Sequence, residues 1–255
     1  MTTVFTIDGA GWSGFLRFMC RGAVTKGKTV ENVKYPNTYF DGLRYVPAVA
    51  AVQRGAQALD EMLTAHFNAS PNADDVLVYA VSMGAQVACK WLRERGPTSS
   101  VPTDRVSFLL LANPEQPFHG IYRADPKLVT FMKLPDYGGV GVPADTRFAV
   151  TDLCRQYDGM ADFPNLPAAH VDSLAVRNAL LGLVLVHNNY FRLDINSAEN
   201  VRVRRGNITY VLSPTRVPPA CGLSALFPAR LKRRRQRIES SYDRSAWTGP
   251  TSPLA

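Results

Sequence analysis

Ser82 stands in A-V-S-M-G (Ala80 to Gly84), with the apolar run Val76-Leu77-Val78-Tyr79-Ala80-Val81 before it and a helical pattern from Gln86 to Arg95 after it. A serine hydroxyl is a weak nucleophile. It attacks a carbonyl only when a sharp turn projects its oxygen, a base takes its proton and amide N–H groups hold the oxyanion. A strand–turn–helix context supplies that turn and gives the short motif its meaning. Ala80 stands where G-x-S-x-G has its first glycine, and Gly84 keeps the second. Without its context, S-x-G fits any strand-to-helix turn.

The base in such an arrangement is a histidine late in the chain, after the acid. Four histidines are present. His66 precedes the serine and ends a helical pattern, which suits a surface residue. His119 follows the third strand too closely for an acid to intervene easily. His170 precedes an apolar helix and can simply cap it. His187 ends that helix in L-V-H-N-N-Y, which delivers an imidazole to the core edge and equally suits a histidine satisfied by backbone. Q-Y-D-G-M-A-D-F-P, after a predicted strand, offers two carboxylates, Asp158 and Asp162. Each also has a plain turn-forming role. Asp152 lies inside the predicted strand and is less suited.

The elements that must position these groups read as follows. Val4 to Ile7 is a β-branched strand, and Asp8-Gly9-Ala10-Gly11 permits a tight turn after it. Val46 to Phe67 carries apolar residues at helical spacing. Val76 to Val81 and Val106 to Ala112 are apolar runs of the kind that fill buried parallel strands. Arg147 to Thr151 is a further strand candidate. Val171 to Val186 predicts a helix whose almost wholly apolar second half implies burial. Val201 to Leu212 predicts a hairpin turning at Gly206-Asn207. Strands alternating with helices imply a parallel sheet, with chemistry at the carboxyl ends of its strands. The loops 8–14, 82–85 and 152–165 leave such ends.

At 255 residues the chain suffices for one sizeable α/β domain. Its 46% hydrophobic and 20% charged residues exclude a disordered, collagen-like or coiled-coil protein. No run approaches the ~18 apolar residues of a membrane span. The first residues lack a basic segment followed by an apolar one, so no signal peptide is expected, and the protein is expected to be soluble. Cys20, Cys89, Cys154 and Cys221 form no C-x-x-C pair, which argues against zinc and for free thiols. Of the net charge of +8, residues 228–255 carry +5, largely from Arg230 to Arg237. The expected organisation is a catalytic domain over 1–227 and a basic, flexible tail over 228–255. Residues 230–237 suit an anionic surface or nucleic acid, or a merely solvated terminus.

In order, the chain presents strand-D-G-A-G, Y-P, A-V-S-M-G-A, L-L-A-N-P, Y-D-G-M-A-D-F-P-N-L-P, N-A-L-L-G-L-V-L-V-H and I-T-Y-V-L-S-P-T-R-V-P-P. This set resembles the PE-PPE domain of mycobacteria, a cutinase-like serine hydrolase, from about Val4 to Pro219. The resemblance implies an α/β-hydrolase fold, with a central, mostly parallel sheet and helices on both faces. It makes Ser82 the nucleophile, His187 the base and Asp158 or Asp162 the acid, Asp158 being favoured because it sits closest to the strand end. It makes the backbone amides of Met83 and Ala10 the oxyanion donors, and it implies no metal or organic cofactor. The family usually has glycine then threonine or serine in the first loop, and G-x-S-Q-G around the nucleophile. Ala10, Ala80 and Met83 depart from that. A free-standing domain of this kind is also similar to the lysin B enzymes of mycobacteriophages. The implied setting is the mycobacterial cell envelope, reached by export or at phage lysis.

The expected function is hydrolysis of lipid-like acyl esters, mycolyl or other envelope esters among them. Acyl transfer to a trehalose-type sugar is the first alternative. A non-catalytic binding or virion module on a decayed hydrolase fold is the second. The loop from Asn113 to Gly141, with Phe118, Ile121, Tyr122, Phe131, Met132 and Leu134, is expected to line an acyl site or lid, or simply to pack.

Overall fold

The computed structural model describes residues 2–247 apart from Trp12, Pro71 and 130–139. Seven strands form one sheet in the order β2 (Thr29–Asn32), β1 (Thr2–Ile7), β5 (Asp75–Val81), β6 (Val106–Leu111), β7 (Ala149–Arg155), β9 (Ile208–Ser213) and β8 (Val201–Arg205). All neighbours run parallel except β8, which is antiparallel to β9. Two short strands, β3 (Phe40–Asp41) and β4 (Arg44–Tyr45), pair separately.

Alternation along each strand decides which layer a side chain enters. Phe5 and Ile7, Val78 and Ala80, and Phe108 and Leu110 face one way, against α1 (Ala48–Ala69) and α2 (Met83–Glu94). Val4, Tyr79 and Val81, Leu109 and Leu111, and Leu153 face the other way. Leu16 and Met19 of the 3₁₀ turns over Leu16–Gly22 cover that second face, together with Tyr190 and Leu193. Both faces of the central strands are therefore covered, which is why β5 and β6 read as continuous apolar runs. The parallel strands deliver their carboxyl ends to one edge of the sheet. Ser82, Ala112 and Tyr157 leave β5, β6 and β7 there with φ of 55°, 52° and 68°.

The last layer is α4 (Ser173–Leu185), a 3₁₀ stretch over Pro219–Leu226 and α5 (Pro228–Glu239), which pack on one another around Tyr157, Ala175, Cys221, Ile238 and Tyr242. One turn, α3 (Pro126–Val129), precedes the undescribed residues 130–139.

Two expectations change and a third, left open between two readings, is decided. The tail expected to be flexible from 228 is folded as far as Trp247, while 248–255 lie outside the described residues. Ile238 and Trp247 are fully buried, and Arg244 forms a bidentate ion pair with buried Asp162. The basic run drew attention from the inward face of Ile238, Tyr242, Arg244 and Trp247, which only the tertiary fold reveals. The second half of α4 is not wholly buried. Ala175, Ala179, Gly182 and Val186 face inward, but Leu180, Val184 and Leu185 are exposed because α4 lies at the molecular surface. In the loop after β6, Phe118 packs on Tyr210 and Trp247, and Ile121 is fully buried among Ala124, Phe163 and Ala179. Both are core residues rather than lid residues. Phe131, Met132 and Leu134 lie outside the described residues. All four cysteines are free and buried.

Candidate active site

Ser82 begins where β5 ends, with φ 55° and ψ −118°, an unfavourable conformation for a residue with a side chain. Its cost is met by the elements that clamp it. Ser82 N donates to Leu111 O of β6, and its own carbonyl accepts from Gln86 N in the first turn of α2. Gly84 explains why a small residue must follow. A Cβ there would lie 2.1 Å from Ile7 O and 2.8 Å from Asp8 O. The start of α2 thus runs directly over the end of β1. Gly84→Ala is expected to destabilise the protein by about 2–3 kcal/mol or more, because a backbone carbonyl cannot step aside. Urea unfolding monitored at Trp fluorescence checks this, and an unchanged midpoint would contradict it. Ala80, where the motif has its other glycine, is fully buried in the layer under α2 and its methyl is accommodated.

Ser82 Oγ lies 2.9 Å from His187 Nε2. His187 Nδ1 lies 2.8 Å from Asp158 Oδ1. Asp158 Oδ1 also accepts from the Met160 and Ala161 amides at 2.8 and 3.1 Å, and Oδ2 accepts from the Tyr190 hydroxyl at 2.7 Å. Burial alone would push the Asp158 carboxyl upward. The His187 imidazole and the hydrogen bonds from His187, Tyr190 and Met160 outweigh it and hold the carboxyl below its ordinary value. A buried carboxylate with this many donors stays charged and keeps Nδ1 of the imidazole protonated. Nε2 is then free to accept the serine proton.

Ser82 and His187 share an open cleft of about 360 Å³ with Gly9, Ala10, Met19, Val81, Leu183, Val184 and Asn188. Met83 is the first residue of α2, where amides have no intrahelical acceptor. Ala10 lines the cleft. The loop carrying Ala10 is held by Asp8, whose carboxylate accepts from Gly14 N, Leu16 N and Asn32 Nδ2. Asn37 Nδ2 donates to Gly9 O, and Gly11 N donates to Asn37 O.

Of the two carboxylates left open by the sequence, Asp158 meets His187. Asp162 is turned elsewhere. Its oxygens accept from Tyr157 N at 2.7 Å and from Arg244 at 2.5 and 3.0 Å. Asp152 lies within β7, accepts from Asn113 Nδ2 and is pushed up to about 7 by burial, away from His187. His66 bonds Asp74 O and is half-buried. His170 is exposed. His119 is buried between Trp247 and Asp243. Trp247 Nε1–H can only donate, so it fixes His119 Nδ1 as an acceptor, and Nε2–H donates to Asp243 O. Burial, reinforced by the Arg244 charge, holds His119 well below its ordinary pKa. The 3.8 Å approach of Asp162 to that ring is therefore not an ion pair.

Sequence reasoning missed Tyr190, Asp8, Asn37 and Arg244. Tyr190 lies three residues after His187 in H-N-N-Y, the one local signal available. The other three act across separations that no spacing rule encodes.

The PE-PPE domain family model matches residues 26–221. The chain is 31% identical over 235 residues to Esterase PE16 of Mycobacterium tuberculosis, an alignment covering 87% of this chain and 44% of that protein. It spans less than half the length of the curated relatives it matches. Among solved structures, a cutinase-like protein from Cryptococcus sp. aligns with a TM-score of 0.45 at 19% identity, covering 64% of this chain and 79% of that one. Lysin B from Mycobacteriophage D29 aligns with a TM-score of 0.43 at 18% identity, covering 71% and 73%.

Proposed function

The chain belongs to the PE-PPE domain family, and from that premise we propose that it is a serine esterase acting on lipid-like acyl esters through Ser82, His187 and Asp158. The observation that carries this reading is the unbroken hydrogen-bond chain from Ser82 Oγ through His187 to Asp158, opening into a cleft. The name of the esterase relative from M. tuberculosis supports the same reaction class.

In the first half-reaction His187 Nε2 takes the Ser82 proton as Oγ bonds to the ester carbonyl carbon. The carbonyl oxygen becomes an oxyanion, held by the amides of Met83 and Ala10. Asp158 stabilises the imidazolium. The tetrahedral intermediate collapses, the C–O bond to the alcohol breaks, and His187 gives its proton to the departing oxygen. Water then enters, loses a proton to Nε2 and attacks the acyl carbon. A second collapse releases the acid and returns the proton to Ser82. Backbone donors carry the oxyanion, so the alanine at position 10 costs the site a hydroxyl and no amide. Met19, Val81, Leu183 and Val184 give the cleft apolar walls suited to an acyl chain. The cleft is open and Ser82 only half-buried, which favours water over a sugar hydroxyl as the acceptor.

A fluorophosphonate probe tests the activated serine. One stoichiometric adduct is expected, located on Ser82 by peptide mass spectrometry, with labelling slowed strongly in His187→Ala. No adduct on the folded protein would overturn the esterase reading and leave a binding module on a hydrolase fold.

A further inference from the structure

The α4 helix is apolar on two sides, and only one of them faces the protein. Ala175, Asn178, Ala179, Gly182 and Val186 are buried. Arg177, Leu180, Leu181, Val184 and Leu185 fall on the opposite side at helical spacing, and Leu180, Val184 and Leu185 are exposed. This stripe ends at the mouth of the Ser82 cleft, which Val184 lines. At its other end it joins a groove of about 380 Å³ bordered by Arg177, Leu181, Phe227, Arg230 and Arg234. Leu226 and Phe227 are 73% and 58% exposed beside it.

The α5 helix supplies charge to the same layer. Six of its twelve residues are Lys or Arg. Arg230, Arg233 and Arg237 recur at i, i+3 and i+7 on one stripe, which sets like charges against one another. The nearby carboxylates are already engaged. Asp172 binds Arg237, and Glu239 binds Arg244. Among the described residues, Arg177, Arg230 and Arg233 have no carboxylate partner, and Arg234 Nε is buried without a hydrogen bond.

We propose that the outer stripe of α4 with Leu226, Phe227 and the arginines of α5 is a docking face for an anionic lipid surface. Apolar side chains flanked by cations match an acyl layer beneath anionic headgroups. A nucleic acid would leave Leu180, Val184 and Leu185 unpaired. A second copy related by two-fold symmetry would set arginines against arginines. The orientation brings the Ser82 cleft down onto the surface.

The test reads binding alone, so it stands apart from the esterase reading. Ser82→Ala protein is floated with vesicles of phosphatidylcholine, or of phosphatidylcholine with about a third phosphatidylglycerol. Binding is expected to the anionic vesicles and to weaken in high salt. Arg230→Gln with Arg233→Gln is expected to weaken it about thirtyfold, and Leu180→Asp with Leu185→Asp at least about tenfold. These residues are exposed, and unchanged thermal melting of each variant confirms folding. No binding, equal binding to neutral vesicles, or binding indifferent to either pair overturns the proposal. So does a dimer in sedimentation that Leu185→Asp dissolves without any vesicle binding. Duplex DNA capture in place of vesicle binding would make α5 a nucleic-acid contact and overturn it as well.

Discussion

Replacing Asp158 by Asn is expected to lower kcat on a p-nitrophenyl ester about a thousandfold with little change in KM. The reason lies in the donors around the carboxylate. Oδ1 faces three N–H groups, those of His187, Met160 and Ala161, so an asparagine must place its own oxygen there. Its amide nitrogen then takes the Oδ2 site, where the Tyr190 hydroxyl can rotate to accept. The imidazole keeps its tautomer and loses only the charge that stabilises its protonated form. Ser82→Ala and His187→Ala remove the proposed nucleophile and the proposed base. Each is expected to cost about 10⁵–10⁶ in kcat, and the double variant no more than either alone. Steady-state kinetics with active-site titration checks the series. An Asp158→Asn enzyme with wild-type kcat would remove the acid from the mechanism, and additive losses at Ser82 and His187 would show that the two do not act as a unit.

That series could be chosen because much of the site is local in sequence. Ser82 is legible since the strand, the turn and the helix around it are contiguous. His187 is legible since an apolar helix runs straight into it. The preference for Asp158 over Asp162 rests in the sequence only on its standing closer to the strand end, because both follow the same strand. What separates them is that Arg244, 82 residues beyond Asp162, claims one of them. The sheet's interior strands are legible from their continuous apolar runs. β2 was missed because all four of its residues are exposed and carry no period. The outward face of α4 was misread because composition alone cannot tell an apolar residue turned to the core from one turned to solvent.

Arg244→Ala is expected to cost about 3–5 kcal/mol of stability, as breaking one partner of a buried ion pair does. Asp162 is fully buried, and without the guanidinium its charge is left with the Tyr157 amide alone. That amide immediately precedes Asp158, and Asp162 N donates to Asp158 O, so kcat should fall as well. Arg244→Lys should recover part of the stability, since a lysine restores the charge and loses the bidentate geometry. Chemical denaturation with parallel kcat measurements decides it. A loss under about 1 kcal/mol would mean that the C-terminal segment merely rests on the domain. Burial of His119 against Trp247 and Asp243 of the same segment gives an acid-sensitive limb. His119 is neutral in the folded protein, and its folded pKa is lowered below the ordinary value near 6.5. Unfolding therefore takes up a proton as pH falls below about 6.5, and stability drops by up to about 1.4 kcal/mol per pH unit until the folded-state pKa is reached. Above that range the contribution is fully present.

Residue 182 has a consequence of its own. A Cβ there would lie 1.9 Å from Tyr157 O, so the backbone of α4 and the backbone of the acid loop touch with no side chain between them. The segments bearing His187 and Asp158 are thus set against each other by backbone alone, and any side chain at 182 would have to part the imidazole from the carboxylate before it could fit.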